Sequence, residues 1–200
     1  DVSKGAADMV LLDNRFSTII RAISEGRTIY ENIRKVILYL LTDSFSEVVL
    51  ILSSFLLHLP LPLLPAQILW INLITDGLPD LALTFEPGDP DVLNDPPRDR
   101  NEPVVTKPMK KVIFLGSVIT GLMSLLGFYV VYRVTQDEVF ARSVTFAMLG
   151  VDSLFYVFSL RSLRAPIWRS NILANKFLLG AVGLGFVLQV VSLYEPHLQK

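Results

Sequence analysis

Five stretches of this chain stay apolar for about twenty residues each, the length an α-helix needs to cross the hydrocarbon of a bilayer. They cover about 36–59, 66–85, 112–132, 140–160 and 177–194. A backbone in lipid must satisfy its own hydrogen bonds, so each stretch reads as a helix. The fold expected is an all-α integral membrane helix bundle of about five transmembrane helices. Composition agrees, since 52% of the residues are hydrophobic and 18% charged, against about 25% charged in soluble domains. The net charge of -1 gives no electrostatic footprint for nucleic acid. With no cysteine and only His58 and His197, there is no disulfide framework, no thiol nucleophile and no histidine-rich zinc site.

Before the first span, Met9–Leu12 is a short apolar run between Asp8 and Asp13, the pattern of a buried strand in a soluble domain. Ser17 is placed to cap a helix whose apolar residues Ile19, Ile20, Ile23, Ile29 and Ile33 are interleaved with charges, and Gly26 is a point where that helix could bend. Pro60, Pro62 and Pro65 force a turn between the first two spans. Residues 86–111 form a polar loop rich in Pro, Asp and Arg, extended and lying on other parts of the protein. The chain opens on Asp1 without a signal peptide and reads as a piece of a longer protein.

Basic residues set the orientation. Fifteen of the eighteen Lys and Arg fall in the N-terminal segment, in loop 86–111 and in the link between the fourth and fifth spans. The opposite side holds Arg133, Arg142 and Lys200. The N-terminal segment and loop 86–111 are therefore expected in the cytoplasm, and the proline turn outside.

Acids inside the spans carry the chemistry. A carboxylate at the bilayer centre costs at least ~2.5–3.5 kcal/mol, so it faces a partner, water or an ion. Asp43 and Glu47 are four apart on the first span, beside Ser44 and Ser46. Asn72, Asp76 and Asp80 recur every four residues on the second, with Thr75 next to Asp76. The short turn makes the two spans antiparallel, so these faces can meet. Carboxylate, amide and hydroxyl oxygens suit hard cations such as Ca²⁺, Mg²⁺, Na⁺ or K⁺. Pro79 lacks an N–H and clashes with the carbonyl of Thr75, which frees main-chain oxygens beside these side chains. Two readings stay open for Asp43 and Asp80, an ion ligand or an acid near a water-facing end. Asp152 reads as an acid hydrogen-bonded to a neighbouring helix. Gln67 and His58 read as outer-interface residues, and Trp70 as packing or an interfacial anchor.

Two stretches carry a resemblance. DVSKGAADMVLLDNRFSTIIRAISEGRTIYENIRK, Asp1 to Lys35, resembles the end of the phosphorylation domain of P-type ATPases and the stalk that leads from it into the membrane. LLPAQILWINLITDGLPDLALTFEP, Leu63 to Pro87, resembles the ion-binding helix of the calcium-pump branch, as does the DPPR of Asp95 to Arg98.

The resemblance implies a division of the chain. Residues 1–16 are a short remnant of the α/β phosphorylation domain, 17–35 a cytoplasmic stalk helix and 36–200 the transmembrane domain, the C-terminal membrane half of the pump. It also implies a metal site of Glu47, Asn72, Thr75 and Asp76, with Asp43, Ser44 and Asp80 as secondary candidates. Ser44 stands where pumps with two sites have an Asn, and Phe155 where they have a Glu, which points to one ion site centred on Asn72 and Asp76. Ca²⁺ is expected ahead of Mn²⁺, Na⁺ and H⁺. ATP and Mg²⁺ would bind domains outside this chain, which also hold the phosphorylated Asp, so no catalytic or cofactor-binding residue is expected here and the fragment is not active alone. Its partners would be the lipid bilayer and the N-terminal helices and cytoplasmic domains of the same pump, not nucleic acid. Around Asp89, Asp91, Asp95 and Arg98 the loop either docks on the phosphorylation domain or is a solvated linker. The alternatives are a non-catalytic membrane module or degenerate pump relative that binds a partner protein, and, weaker, a passive channel.

Overall fold

A computed structural model describes residues 10, 15–89, 91–99, 102–162 and 172–194. The expected strand at Met9–Leu12 and the phosphorylation-domain remnant lie outside the described residues, apart from Val10, Arg15 and Phe16. Among the described residues all regular structure is helical.

Helix α1 is the longest element, Phe16–Leu56, 41 residues. At 1.5 Å per residue it spans about 60 Å, enough to cross a membrane and project well beyond it. Residues 17–35 and the helical part of the first span thus belong to one helix. It passes Gly26 without a break in the helix; a Cβ there would meet nothing within 4 Å. The N-cap is Arg15 in extended conformation, which corrects the placement at Ser17: the cap lies two residues earlier, and Ser17 is in the first turn. The helix stops at Leu56, where Ser54 Oγ donates to the carbonyl of Pro60 at 2.9 Å and His58 takes a left-handed φ of 53°.

The second span is not one helix. It divides into α2 (Pro65–Trp70), a π-helical turn (Ile71–Thr75) and α3 (Gly77–Leu83). Gln67 closes the first turn of α2, its Oε1 accepting the amide of Leu64 at 2.9 Å. Then come α4 (Lys107–Thr135), α5 (Glu138–Ser159) and α6 (Lys176–Tyr194). Asp137 caps α5 by accepting the amides of Val139 and Phe140 at 2.9 and 3.0 Å. Among the described residues four helices are long and apolar enough to cross a membrane: α1, α4, α5 and α6.

Small residues set the crossings. Gly121 of α4 lies so close to α1 that a Cβ would sit 2.7 Å from the Ser46 carbonyl, and at Gly116 one would sit 2.9 Å from Thr42. Gly150 of α5 and Gly185 of α6 meet Gln189 and Leu154 in the same way. This is how helices pack where lipid removes the hydrophobic drive between them. Two buried apolar clusters result, one around Leu38, Leu83, Ile113 and Leu178, the other around Leu50, Ile71, Leu125 and Phe146. Leu69, Leu73, Leu81 and Phe85 are exposed along the broken span, as are Phe45, Leu52 and Phe55 on α1.

Loop 86–111 does lie on another element. Val92, in a short 3-10 turn, is buried, and Arg27 of α1 donates from Nη1 to the carbonyls of Val92 and Asp95, both at 2.8 Å. The Arg98 guanidinium stacks over the Tyr30 ring, 4.2 Å from its centroid.

A candidate cation site at the break in the second span

The break begins with hydrogen bonds. In the π turn the Asp76 amide reaches the Ile71 carbonyl, five residues back, at 2.9 Å. That extra residue per turn rotates the remainder of the span, and such turns recur at functional sites. Pro79 then offers no N–H to the Thr75 carbonyl, which faces the Tyr39 hydroxyl of α1 at 3.5 Å instead. The freed oxygen expected from Pro79 is therefore Thr75 O, with the Tyr39 hydroxyl its neighbour at 3.5 Å. The Thr75 hydroxyl turns back onto its own helix and donates to Ile71 O at 2.8 Å.

Two carboxylates flank the break. Glu47 comes from α1, 6% exposed, and its Oε2 accepts Asn72 Nδ2 at 2.9 Å. Asn72 also donates to the Ile68 carbonyl at 2.9 Å. Glu47 Oε1 is buried with no hydrogen-bond donor. Asp76, 1% exposed, accepts Ser153 Oγ of α5 at 2.5 Å. Behind it, Ser153 Oγ lies 2.5 Å from the Tyr39 hydroxyl. Three elements thus converge on the break: α1 through Tyr39 and Glu47, the broken span through Asn72 and Asp76, and α5 through Ser153.

Beside Glu47 and Ser153 lies a small cavity of about 10 Å³ that Asn72, Thr75 and Asp76 do not line, the room of one water or one ion centre. Asp43, Glu47, Asp152 and Ser153 line it, with Ser46 and Thr120. Asp43 is 5% exposed and its Oδ2 has no donor. Leaving such oxygens buried and unsatisfied is costly. Among the described residues no three His, Cys, Asp or Glu side chains meet at metal-ligating distance. An ion held at the break itself would draw on the amide, hydroxyl and main-chain oxygens there as well as on Glu47 and Asp76.

The sequence expectations divide accordingly. Glu47 and Asn72 are in direct contact, and Asp76 is one helical turn further on. Asp43 belongs with Glu47 on the cavity wall. Asp80 does not line the cavity, and its Oδ1 is buried without a donor. Ser44 is half-buried and also off the cavity wall, where its neighbour Ser46 stands instead. Asp152 meets a neighbouring helix as expected, accepting Thr120 Oγ1 at 3.5 Å. Phe155 is exposed. Trp70 is a packing residue that also donates from Nε1 to Gln189 Oε1 at 3.2 Å. Tyr39 and Ser153 are absent from the sequence expectations. Tyr39 precedes Asp43 and Glu47 by four and eight residues, on the same helical face, and that spacing was the available signal.

A family model described as "Cation transporting ATPase, C-terminus" matches residues 60–200. The chain is similar to the "Calcium-transporting ATPase" of Bacillus subtilis (strain 168), 43% identical over 201 residues, covering 100% of the chain and 22% of that protein. It is 38% identical over 214 residues to "Calcium-transporting ATPase 1" of Bacillus cereus (strain ATCC 10987 / NRS 248), covering 99% of the chain and 24% of that protein. To the human "Calcium-transporting ATPase type 2C member 1" it is 36% identical over 204 residues, covering 100% of the chain and 22% of that protein. The chain therefore spans less than a quarter of the length of these relatives. All three are named as transporters, which does not favour the reading as a non-catalytic, partner-binding module.

Proposed function

We propose, because the chain belongs to the cation-transporting ATPase family as its C-terminal region, that Glu47, Asn72, Thr75 and Asp76 hold the transported cation of an ATP-driven pump, and that this cation is Ca²⁺. The observation that carries the reading is the pair of buried carboxylates at the π turn, one of them with an oxygen no donor satisfies. A hard divalent ion supplies the missing charge, and carboxylate, amide and hydroxyl oxygens are the donors it prefers. Asp43 and Asp80 are the next acids from which a ligand or a proton carrier would come, with Ser44 beyond them.

ATP and Mg²⁺ belong to the parts of the pump outside this chain, where an aspartyl phosphate forms and breaks. The work of this chain is to turn that cycle into a change of affinity. Helix α1 is continuous from the stalk to Glu47. A tilt of its cytoplasmic half shifts Glu47 and Tyr39 against Asn72, Asp76 and Ser153. Cation affinity then differs between the two tilts, which is what couples phosphorylation to transport. In this reading the span 65–83 crosses the membrane as a fifth pass, and the stalk and loop 86–111 are cytoplasmic. The exposed apolar faces at Leu69, Leu73 and Leu81 meet lipid or the pump's N-terminal helices.

The test is ATP hydrolysis by the full-length parent across Ca²⁺, Mn²⁺, Na⁺ and K⁺, with Asp76→Asn beside it. Stimulation by Ca²⁺ that the variant loses is the expected result. Hydrolysis indifferent to Ca²⁺, or an Asp76→Asn pump stimulated like the wild type, rejects the assignment.

A further inference from the structure

A second buried polar cluster stands at the other end of α3. Glu86 lies just beyond that helix. Its Oε1 accepts Arg161 Nε at 2.8 Å and lies 2.8 Å from Arg161 Nη2, while its Oε2 accepts Asn175 Nδ2 at 2.8 Å. Asn175 also donates to the Ala82 carbonyl at 3.0 Å, and its Oδ1 accepts the Leu178 amide at 3.0 Å in the first turn of α6. From α1, Asn32 Nδ2 donates to the carbonyls of Glu86 at 2.7 Å and Thr84 at 3.2 Å, and its Oδ1 accepts Lys35 Nζ at 3.0 Å. None of these five side-chain bearers exceeds 7% exposure.

A buried ion pair adds little net stability over an apolar pair of the same shape, because desolvation offsets the attraction. Its yield is geometric, since charged and bidentate partners hold one arrangement. Here the arrangement is specific. The last carbonyls of a helix have no partner within it: Ala82 O of α3 is taken by Asn175 just before α6, and the carbonyls of Thr84 and Glu86, just beyond α3, by Asn32 of α1. Arg161, just after α5, fixes the Glu86 side chain. The first residue before α3 is Asp76. Seven residues of helix, about 10 Å at 1.5 Å each, are too short to bend. The Glu86 amide bonds back to the Leu83 carbonyl at 3.1 Å, so a displacement imposed at Glu86 has a path through α3 to Asp76.

We propose that Asn32, Glu86, Arg161 and Asn175 form a clamp that positions Asp76 from the far end of α3 and passes the tilt of α1 to it. The clamp rests on the reading of Asp76 as a cation ligand. None of its members touches the cation; they are positioning residues. Asn32 is the moving contact, because it is the member on the stalk. Arg161 and Asn175 are the fixed side, because α5 and α6 pack on each other through Gly150 and Gly185.

The experiment uses the full-length parent, purified and sealed into vesicles, as wild type, Asn32→Ala, Arg161→Lys and Arg161→Met. It reads the Ca²⁺ concentration for half-maximal ATP hydrolysis and the Ca²⁺ moved per ATP. Asn32→Ala is expected to raise the half-maximal Ca²⁺ about tenfold, within the usual span of coupling between sites, and to lower the Ca²⁺ moved per ATP. Arg161→Lys keeps the charge but loses the two-nitrogen contact, so it falls between wild type and Asn32→Ala. A role in folding alone would lower the amount of active pump and leave both readings unmoved. If Arg161→Met fails to fold, the other two variants decide. A Ca²⁺-stimulated wild type with Asn32→Ala and Arg161→Lys both within twofold of it overturns the clamp alone. A wild type that Ca²⁺ does not stimulate overturns the clamp together with the function beneath it.

Discussion

Tyr39 and Ser153 face each other hydroxyl to hydroxyl, 2.5 Å apart, and Ser153 passes the contact on to Asp76 at the same distance. With Ser153 donating to the carboxylate, Tyr39 is the donor to Ser153. A phenol on α1 thereby orients a carboxylate on the broken span through a serine on a third helix. Hydrogen bonds to charged groups contribute about 1.5–3 kcal/mol each. Ser153→Ala is expected to weaken cation affinity by about tenfold, the lower end of that range. Tyr39→Phe acts one bond further out and is expected to cost less. Half-maximal Ca²⁺ in an ATPase titration of the parent measures both, and equal affinity in Ser153→Ala and wild type would show that Asp76 needs no such support.

Glu47 and Asn72 give a prediction in which stability and function move in opposite directions. Glu47 Oε1 is buried without a donor, so the empty protein bears a desolvation cost at this site. Glu47→Gln lowers that cost and removes a ligand charge. The variant is expected to melt at a higher temperature than wild type without Ca²⁺, by a few degrees. It is also expected to lose most of the rise in melting temperature that Ca²⁺ gives the wild type through mass action. Asn72→Ala has the reverse effect on the empty protein, because it strips Glu47 of its remaining contact at Oε2; a loss of about 1–3 kcal/mol is expected. Thermal melting in detergent with and without Ca²⁺ reads all three proteins. A Glu47→Gln protein that melts below wild type in the absence of Ca²⁺ would refute the account.

Much of this was legible in the sequence. Four of the five expected spans are single helices because apolar length in a bilayer leaves the chain no other option. The acids stood out because lipid makes them expensive. Pro79 marked a break, but not its form: the π turn begins at Ile71, two turns earlier. Ser153 could not be singled out, since serines are common in membrane helices and tolerated there without a task. Glu86 and Arg161 stand 75 residues apart and look, in the sequence, like loop and link charges. Their burial is a tertiary fact, set by where α3, α5 and α6 end.

The α1–α4 crossing should be intolerant at Gly121. A Cβ there would lie 2.7 Å from the Ser46 carbonyl and 2.8 Å from Val49, so the helices must part to admit it. Overpacking of this kind costs about 1–3 kcal/mol. Ser46 adjoins Glu47, so Gly121→Val is expected to lower both melting temperature and cation affinity. Gly26→Ala is the contrast. It sits in the same helix system with nothing within 4 Å, and it exchanges a poor helix former for the best one. It is expected to stabilise by up to ~1 kcal/mol without changing affinity.

Pro79 tests whether the break itself matters. It sits in the first turn of α3, where a missing N–H costs little because α3 alone has no carbonyl for it. If α2 and α3 were one continuous helix, the N–H at position 79 would bond the Thr75 carbonyl. Pro79→Ala restores that donor. The substitution therefore occupies Thr75 O and favours continuing the helix through Asp76. Melting temperature is expected to stay level or rise slightly, since alanine is the better helix residue. Cation affinity is expected to fall by about tenfold, the size of a lost or misplaced charged contact. The two readings together separate the alternatives. Lower stability with lower affinity would make Pro79 a packing residue. Unchanged affinity would mean that the cation does not depend on the oxygens at the break.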